Sequence, residues 1–164
     1  MPNWCENEVQ ISGKTEDVKK FLEKIDYRGQ NFLFNGIRPI PIELTQIQYG
    51  GREINGQYVK EWIDYGGDNV KALTQEDATR LLNEYGATNW YDWCVKYWGT
   101  KWEPSNVYYV STLDERYEYS SITVHFETAW NPPDELYNYL LQIHPELSFE
   151  WFYKESGQQI AGWL

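Results

Sequence analysis

Basic residues are scarce in this chain: 14 Lys and Arg stand against 25 Asp and Glu in 164 residues, a formal charge of −11. Proteins that track phosphates need clustered cations, so this balance weighs against nucleic-acid binding while leaving room for a local basic site. The carboxylates never form a block long enough to mark an acidic interaction tail. Solubility is their plain reading; the sharper one is a surface that mimics nucleic acid or seeks a basic protein partner. Cysteine is almost missing too. Cys5 and Cys94 are too few for a metal site of their own and lack CxxC spacing. Both sit among Trp residues, which points to buried reduced thiols rather than a bridge. The N-terminus has no basic stretch followed by an apolar run, and no apolar segment approaches membrane-spanning length. A signal peptide and a membrane span are therefore not expected, and a reducing cytoplasm is. There are two histidines, neither in an HExxH motif, and no serine lies in a nucleophile elbow. Gly50, Gly51 and Gly56 fit neither a P-loop nor a dinucleotide fingerprint. These gaps leave no catalytic residue, no metal and no cofactor to expect, and the chain reads as a non-enzyme.

What the chain does have is rings. Aromatics make up 18% of it, with nine Trp, fourteen Tyr and six Phe against a single Met. Each buried aromatic removes roughly 150–250 Å² from water, worth up to several kcal/mol at about 25 cal/mol per Å². A core can thus be built of rings instead of aliphatic side chains. The densest stretch is Asn89 to Trp102, where Trp90, Trp93, Cys94, Tyr97 and Trp98 recur at the spacing of one helix face. Asp92 and Lys96 match the helix dipole at its two ends. Asn89 with Asp92 forms a capping pair, and Gly99 is a left-handed stop. Core packing is the expected job of this face.

Along the chain, Glu8 to Ser12 alternates as a half-covered strand. Thr15 is expected to cap a helix carrying Val18, Phe21, Leu22 and Ile25. Residues 31–44 are apolar but broken by Pro39 and Pro41, as in an irregular ribbon or short edge strand. From Thr45 to Leu73 glycines punctuate the pattern, and a loop or insertion is predicted. Thr74 caps a second helix that Gly86 closes. Val107 to Leu113 and Ser121 to Glu127 read as strands. Asn131 is expected to cap a helix with Pro132 at its first position. Leu147 to Tyr153 alternates again, and an extended piece, residues 159–164, follows.

With residues 31–105 set aside as a helical insertion, the order is strand–helix–strand–strand–helix–strand. That predicts one α+β domain over residues 1–164, a ferredoxin-like split βαβ fold: an antiparallel sheet with two helices on one face and an inserted Trp-rich helical lobe. The motifs MPNWCENEVQISG, IRPIPIEL, WYDWCVKYWGTKWE and VHFETAWNPPDEL, in that order, resemble the YubB-type ferredoxin-like domain family. The resemblance implies a protein carried by bacteriophages or plasmids, with no iron–sulfur cluster and no established reaction. A small non-enzymatic binding protein in the host cytoplasm follows as the expectation, its partner a host protein and its role counter-defence, of which anti-CRISPR action is one form.

Contact residues are expected in the glycine-rich stretch and at the rim of the Trp-rich helix: Tyr49, Arg52, Tyr58, Trp62, Tyr65, Tyr91, Lys101 and Trp102. Two other readings use overlapping chemistry. A small-ligand or nucleotide-signal sponge would stack a base between Trp or Tyr rings and hold phosphate with Arg52 or Lys101. A single-stranded nucleic acid would stack on Tyr108 and Phe152 across a sheet face, although no RNP-like run is present. His125 is expected on the face not covered by helices as a solvated strand residue, and His144 at a helix end in a structural role.

Overall fold

The computed structural model describes residues 3–164. In chain order these form β1 (Trp4–Lys14), α1 (Thr15–Lys24), a 3-10 turn (Tyr27–Gly29), α2 (Phe34–Ile37), α3 (Ile42–Thr45), β2 (Ile47–Ile54), β3 (Gln57–Asp64) and β4 (Val70–Ala72). There follow α4 (Gln75–Tyr85), α5 (Trp90–Trp98), β5 (Ser105–Tyr109), β6 (Tyr119–Ala129), α6 (Asp134–Ile143), β7 (Ser148–Glu155) and β8 (Ile160–Trp163). The protein is α+β, with a five-stranded and a three-stranded antiparallel sheet. It divides into two compact units: the chain up to Pro39 together with Trp98–Leu164, and Ile40–Tyr97. Among the described residues no helix is long and apolar enough to cross a membrane.

The first unit is built on β1, which pairs with β6 on one side and β7 on the other, in the order β5-β6-β1-β7-β8. Val9 lies opposite both Val124 and Trp151, so one pleated face carries Cys5, Asn7, Val9, Ile11, Ile122, Val124, Phe126, Phe149 and Trp151, all buried. Two helices pack there. Phe21 of α1 meets Phe149 edge-on at 5.4 Å, and Tyr137 of α6 meets Trp151 at 5.9 Å. Phe32 stacks on Phe126 at 4.9 Å and Phe34 touches Trp98 at 5.6 Å, which makes this a core of interlocking rings. Trp98 closes its polar end by donating Nε1–H to the Arg38 carbonyl at 2.9 Å.

Several boundaries differ from expectation, each for a local reason. Residues 31–44 form no strand: α2 and α3 are single helical turns separated by a segment containing Pro39 and Pro41, which cannot feed a ladder. The leading amides of α2, on Phe34 and Asn35, donate to the Glu103 carboxylate at 2.6 and 2.8 Å. Burial raises the Glu103 carboxyl above its ordinary range despite those bonds. Thr15 is not a cap. Lys14 holds that position without a side-chain bond, and the Thr15 hydroxyl reaches the Tyr117 carbonyl at 2.6 Å. Nor does Asn131 cap α6: Pro133 stands at that position, and the Asn131 carbonyl accepts from Thr128 Oγ1 at 2.7 Å. With neither Pro132 nor Pro133 carrying an N–H, fewer donors there need a cap.

In the second unit the stretch expected to be a loop is a sheet, ordered β2-β3-β4. Asn55 and Gly56 have φ of 51° and 77°, the backbone of a two-residue hairpin turn. Gly50 and Gly51 sit at an irregularity in register between Tyr49 and Arg52, a bulge rather than an end of pairing. The helical punctuation is as read. Thr74 accepts from the Asp77 amide at 3.1 Å, and Gly86 ends α4 in the left-handed region. Asn89 accepts from the Asp92 amide at 2.8 Å and donates back to the Asp92 carboxylate at 2.9 Å.

Cys5 and Cys94 are both buried and share no disulfide. Burial pushes the Cys5 thiol up to about 11, the hydrogen bond with Thr128 opposing and the Glu155 charge adding to the rise. At about pH 8 its thiolate should therefore react with a disulfide reagent roughly a hundredfold more slowly than an ordinary thiol. Both cysteines should titrate rapidly once the chain is unfolded in denaturant. The sign for stability follows from linkage: a folded-state value above the unfolded one gives a contribution fully present below the unfolded pKa. It is lost as pH rises through about 9 to 11. Denaturation midpoints measured over that range should fall more steeply for the wild type than for Cys5→Ala.

Candidate binding surfaces

The predicted contact residues divide between the two units. In the second unit, Tyr49 on β2 stacks face to face on Tyr91 of α5, with ring centroids at 5.4 Å and planes 5° apart. The Arg52 guanidinium lies 5.8 Å from the Trp62 ring centre. Tyr58, the second residue after the hairpin turn, is 74% exposed, and Tyr65 is 55% exposed. The Tyr58 ring occupies the space where a Cβ on Gly51 would stand, so that glycine is the floor on which the ring rests. Trp62 is half-buried, and its indole N–H is shielded without a protein partner. On the Tyr49 side of the sheet, Glu61 accepts from the Thr88 hydroxyl and from Asn89 Nδ2 at 2.6 Å. This bond anchors the start of α5 to β3.

Lys101 and Trp102 belong to the first unit. The Lys101 ammonium sits 3.8 Å from the Trp102 ring centre and 6.0 Å from that of Trp130, so the cation is already engaged by protein rings. Within the Trp-rich helix Trp93, Cys94 and Trp98 are buried, and Trp90, Tyr91 and Tyr97 are half-buried.

A further surface in the first unit joins residues that the sequence considered only singly. The face of the five-stranded sheet opposite its rings carries a row that crosses every strand: Tyr108, His125, Glu8, Phe152 and Trp163. Tyr108 stacks on His125 at 4.8 Å with planes 3° apart, and Phe152 meets Trp163 at 5.2 Å. His125 lies on this face as expected. It is not a lone solvated residue: it is half-covered by Tyr108, and its Nε2 stands 3.8 Å from the Glu8 carboxylate, too far for a hydrogen bond. The missed member is Trp163. The last segment reads only as extended, without alternation, and it is the pairing of Phe152 with Trp163 that reveals which face it shares.

His144 ends α6, contacts Glu146 at 2.7 Å and packs edge-on against Phe21, a structural position. Among the described residues no group of three or more His, Cys, Asp or Glu side chains is arranged to hold a metal ion.

No family model matches the chain, and no curated protein matches it. Among solved structures it is similar to the crystal structure of a protein api92 from Yersinia pseudotuberculosis, of family-model DUF1281. That likeness has a TM-score of 0.54 at 12% identity and covers 99% of this chain and 93% of the other. At that identity it is a likeness of fold.

Proposed function

We propose that this chain is a non-catalytic binding protein of a phage or other mobile element, acting in the host cytoplasm by direct contact with a host protein. We read its first unit as a ferredoxin-like split βαβ core. The order β5-β6-β1-β7, with α1 between β1 and β5 in sequence and α6 between β6 and β7, supports that reading. The observation that carries the functional reading is the set of exposed tyrosines in the second unit. Tyr49 and Tyr58 stand more than half exposed on opposite faces of a short-turn hairpin sheet, Tyr49 fixed by Tyr91 and Tyr58 resting on Gly51, and Tyr65 is more than half exposed just beyond β3. Fixed exposed tyrosines lose little side-chain freedom on contact and are enriched among residues that dominate binding energy. A defence-system component is the partner class this reading favours.

These tyrosines suit a protein better than a nucleotide. A base held between two rings needs them roughly 7 Å apart, twice a van der Waals contact. Tyr49 and Tyr91 are already closed on each other at 5.4 Å. Affinity capture from host lysate, followed by titration of the captured protein, tests the proposal. The combined Tyr49→Ala, Tyr58→Ala and Tyr65→Ala variant should bind at least about thirtyfold more weakly, the loss expected of one hot-spot residue or more. Undiminished binding by that variant sinks the role given to these tyrosines. A nucleotide that raises the melting temperature while no protein is captured moves the function to ligand sequestration.

A further inference from the structure

The open face of the five-stranded sheet combines rings with carboxylates in a way that selects a different kind of occupant. Tyr108 and Trp163, at the two edge strands, are 55% and 67% exposed. Between them lie His125, Glu8 and Phe152, one from each inner strand. Alternation along the strands places Glu6, Glu127 and Glu150 on the same face. Against these four carboxylates stand Lys154, 3.7 Å from Glu6, and Lys14 at the far end of β1, with His125 half-covered by Tyr108. The face is thus anionic and aromatic together.

The β5 edge adds a niche. Asn106 has a φ of 51° at an irregularity of register between Ser105 and Tyr108, and its side chain donates to Glu127 at 2.6 Å. Beside it opens a cleft of ≈ 150 Å³ lined by residues including Glu6, Tyr108, His125 and Glu127. That is well below the roughly 300–1,000 Å³ of small-molecule sites, and nearer the size of one side chain. Carboxylates with ring faces beside them are the surroundings a guanidinium prefers, because it pairs in a planar fork and stacks on aromatics.

We propose that this face is a docking surface for an arginine-rich extended segment of a partner protein, with one guanidinium seated in the Glu6–Tyr108–Glu127 cleft and the chain running along the Tyr108-to-Trp163 row. The row crosses five strands, roughly 19 Å, which about six residues of extended chain would cover. Side chains on one side of such a segment meet rings and carboxylates in turn. Single-stranded nucleic acid, the other polymer that stacks on sheet aromatics, would bring its phosphates against four glutamates.

Fluorescence anisotropy of the whole chain tests this with two labelled probes, a peptide of about seven residues alternating Arg and Ser and a single-stranded RNA of about the same span. Tyr108→Ala, Glu127→Gln and Trp163→Ala should each weaken peptide binding about fivefold or more, the scale of one charge-assisted or cation–π contact. Glu53→Gln and Glu76→Gln remove the same charge from the second unit, which supplies none of the residues of this face, and should change binding less than about twofold. Circular dichroism melts confirm that each variant is folded. Equal weakening by all the charge variants would mean non-specific attraction to an acidic protein and overturn the proposal. So would RNA binding in the absence of peptide binding.

Discussion

Trp151→Ala should bring the first unit to the edge of unfolding. The indole is fully buried beneath α6 and between the rings of Phe32, Phe126 and Tyr137. Removing so large a buried side chain costs about 3–5 kcal/mol, because the surrounding rings refill only part of the cavity. A second loss follows from the polar end. Trp151 Nε1–H donates at 3.0 Å to Asn7 Oδ1, and Asn7 is itself 2% exposed in the middle of β1. Without the indole that oxygen is buried and unpaired, at about 1–3 kcal/mol. Total stabilities are about 5–15 kcal/mol, so the sum is a large share of the whole. Trp151→Phe keeps most of the volume and should lose mainly the second part. Trp163→Ala, on the exposed face one strand away, should cost less than about 1 kcal/mol. Urea midpoints followed by far-ultraviolet circular dichroism rank the three. A Trp151→Ala loss no larger than that of Trp163→Ala would falsify the account of the core.

The same residues show what the chain's own pattern reveals and what it hides. Alternation through Leu147, Phe149, Trp151 and Tyr153 assigns Trp151 to the inner face before any coordinates are known, since period 2 is a property of the strand alone. Asn7 is invisible by that route. A polar residue on the inner side is tolerated only because Trp151, Thr128 and the Cys5 carbonyl satisfy it, partners drawn from three strands. Thr15 and Asn131 both resemble local signals and both fail as caps: the Thr15 hydroxyl is taken by the distant Tyr117 carbonyl, and α6 starts too late for Asn131, with Pro133 at the cap position. Thr74 and Asn89 have only their own helices to serve at those atoms, and the local signal holds.

The second unit is hard to read because glycine carries two meanings. Gly50 and Gly51 resemble breaks in structure, whereas one lies in a bulge against Trp62 and the other makes room for the Tyr58 ring. The informative pair was Asn55-Gly56, with strand-compatible residues on either side, the strongest short-range hairpin signal a sequence offers. Of the contact residues, Tyr58 and Tyr65 could be placed on a surface from that hairpin alone. The Tyr49–Tyr91 pair could not, because it joins a strand to a helix about forty residues on. The sheet-face row was least legible of all: register among five strands decides it, and register is a tertiary fact.

Gly99→Ala should be far costlier than Gly86→Ala, although both glycines end helices in the left-handed region, at φ of 84° and 74°. The conformational part is shared, about 1–2 kcal/mol for a residue with a Cβ. The surroundings differ. At Gly86 a methyl group would approach the Tyr97 hydroxyl at 2.5 Å and the Lys96 ammonium at 2.6 Å, side-chain ends that give way by exchanging their bonds to the Tyr85 and Gly86 carbonyls for bonds to water. At Gly99 it would press on the Asp134 amide nitrogen at 3.0 Å and the Glu135 amide nitrogen at 3.3 Å, as well as the Asp134 carboxylate. Those amides are the first turn of α6, held by the Pro132 carbonyl and the Asp134 side chain, and backbone of that kind yields only by moving the helix. Overpacking adds about 1–3 kcal/mol, for a total of about 2–5 kcal/mol at Gly99 against about 1–2 kcal/mol at Gly86. Asparagine separates the two contributions, since it tolerates the left-handed region better than alanine does. Gly86→Asn should recover much of the loss, while Gly99→Asn should remain as damaging as alanine. Equal thermal shifts at the two sites would mean that the close approach to α6 does not constrain the chain. The cost would then lie in backbone conformation alone.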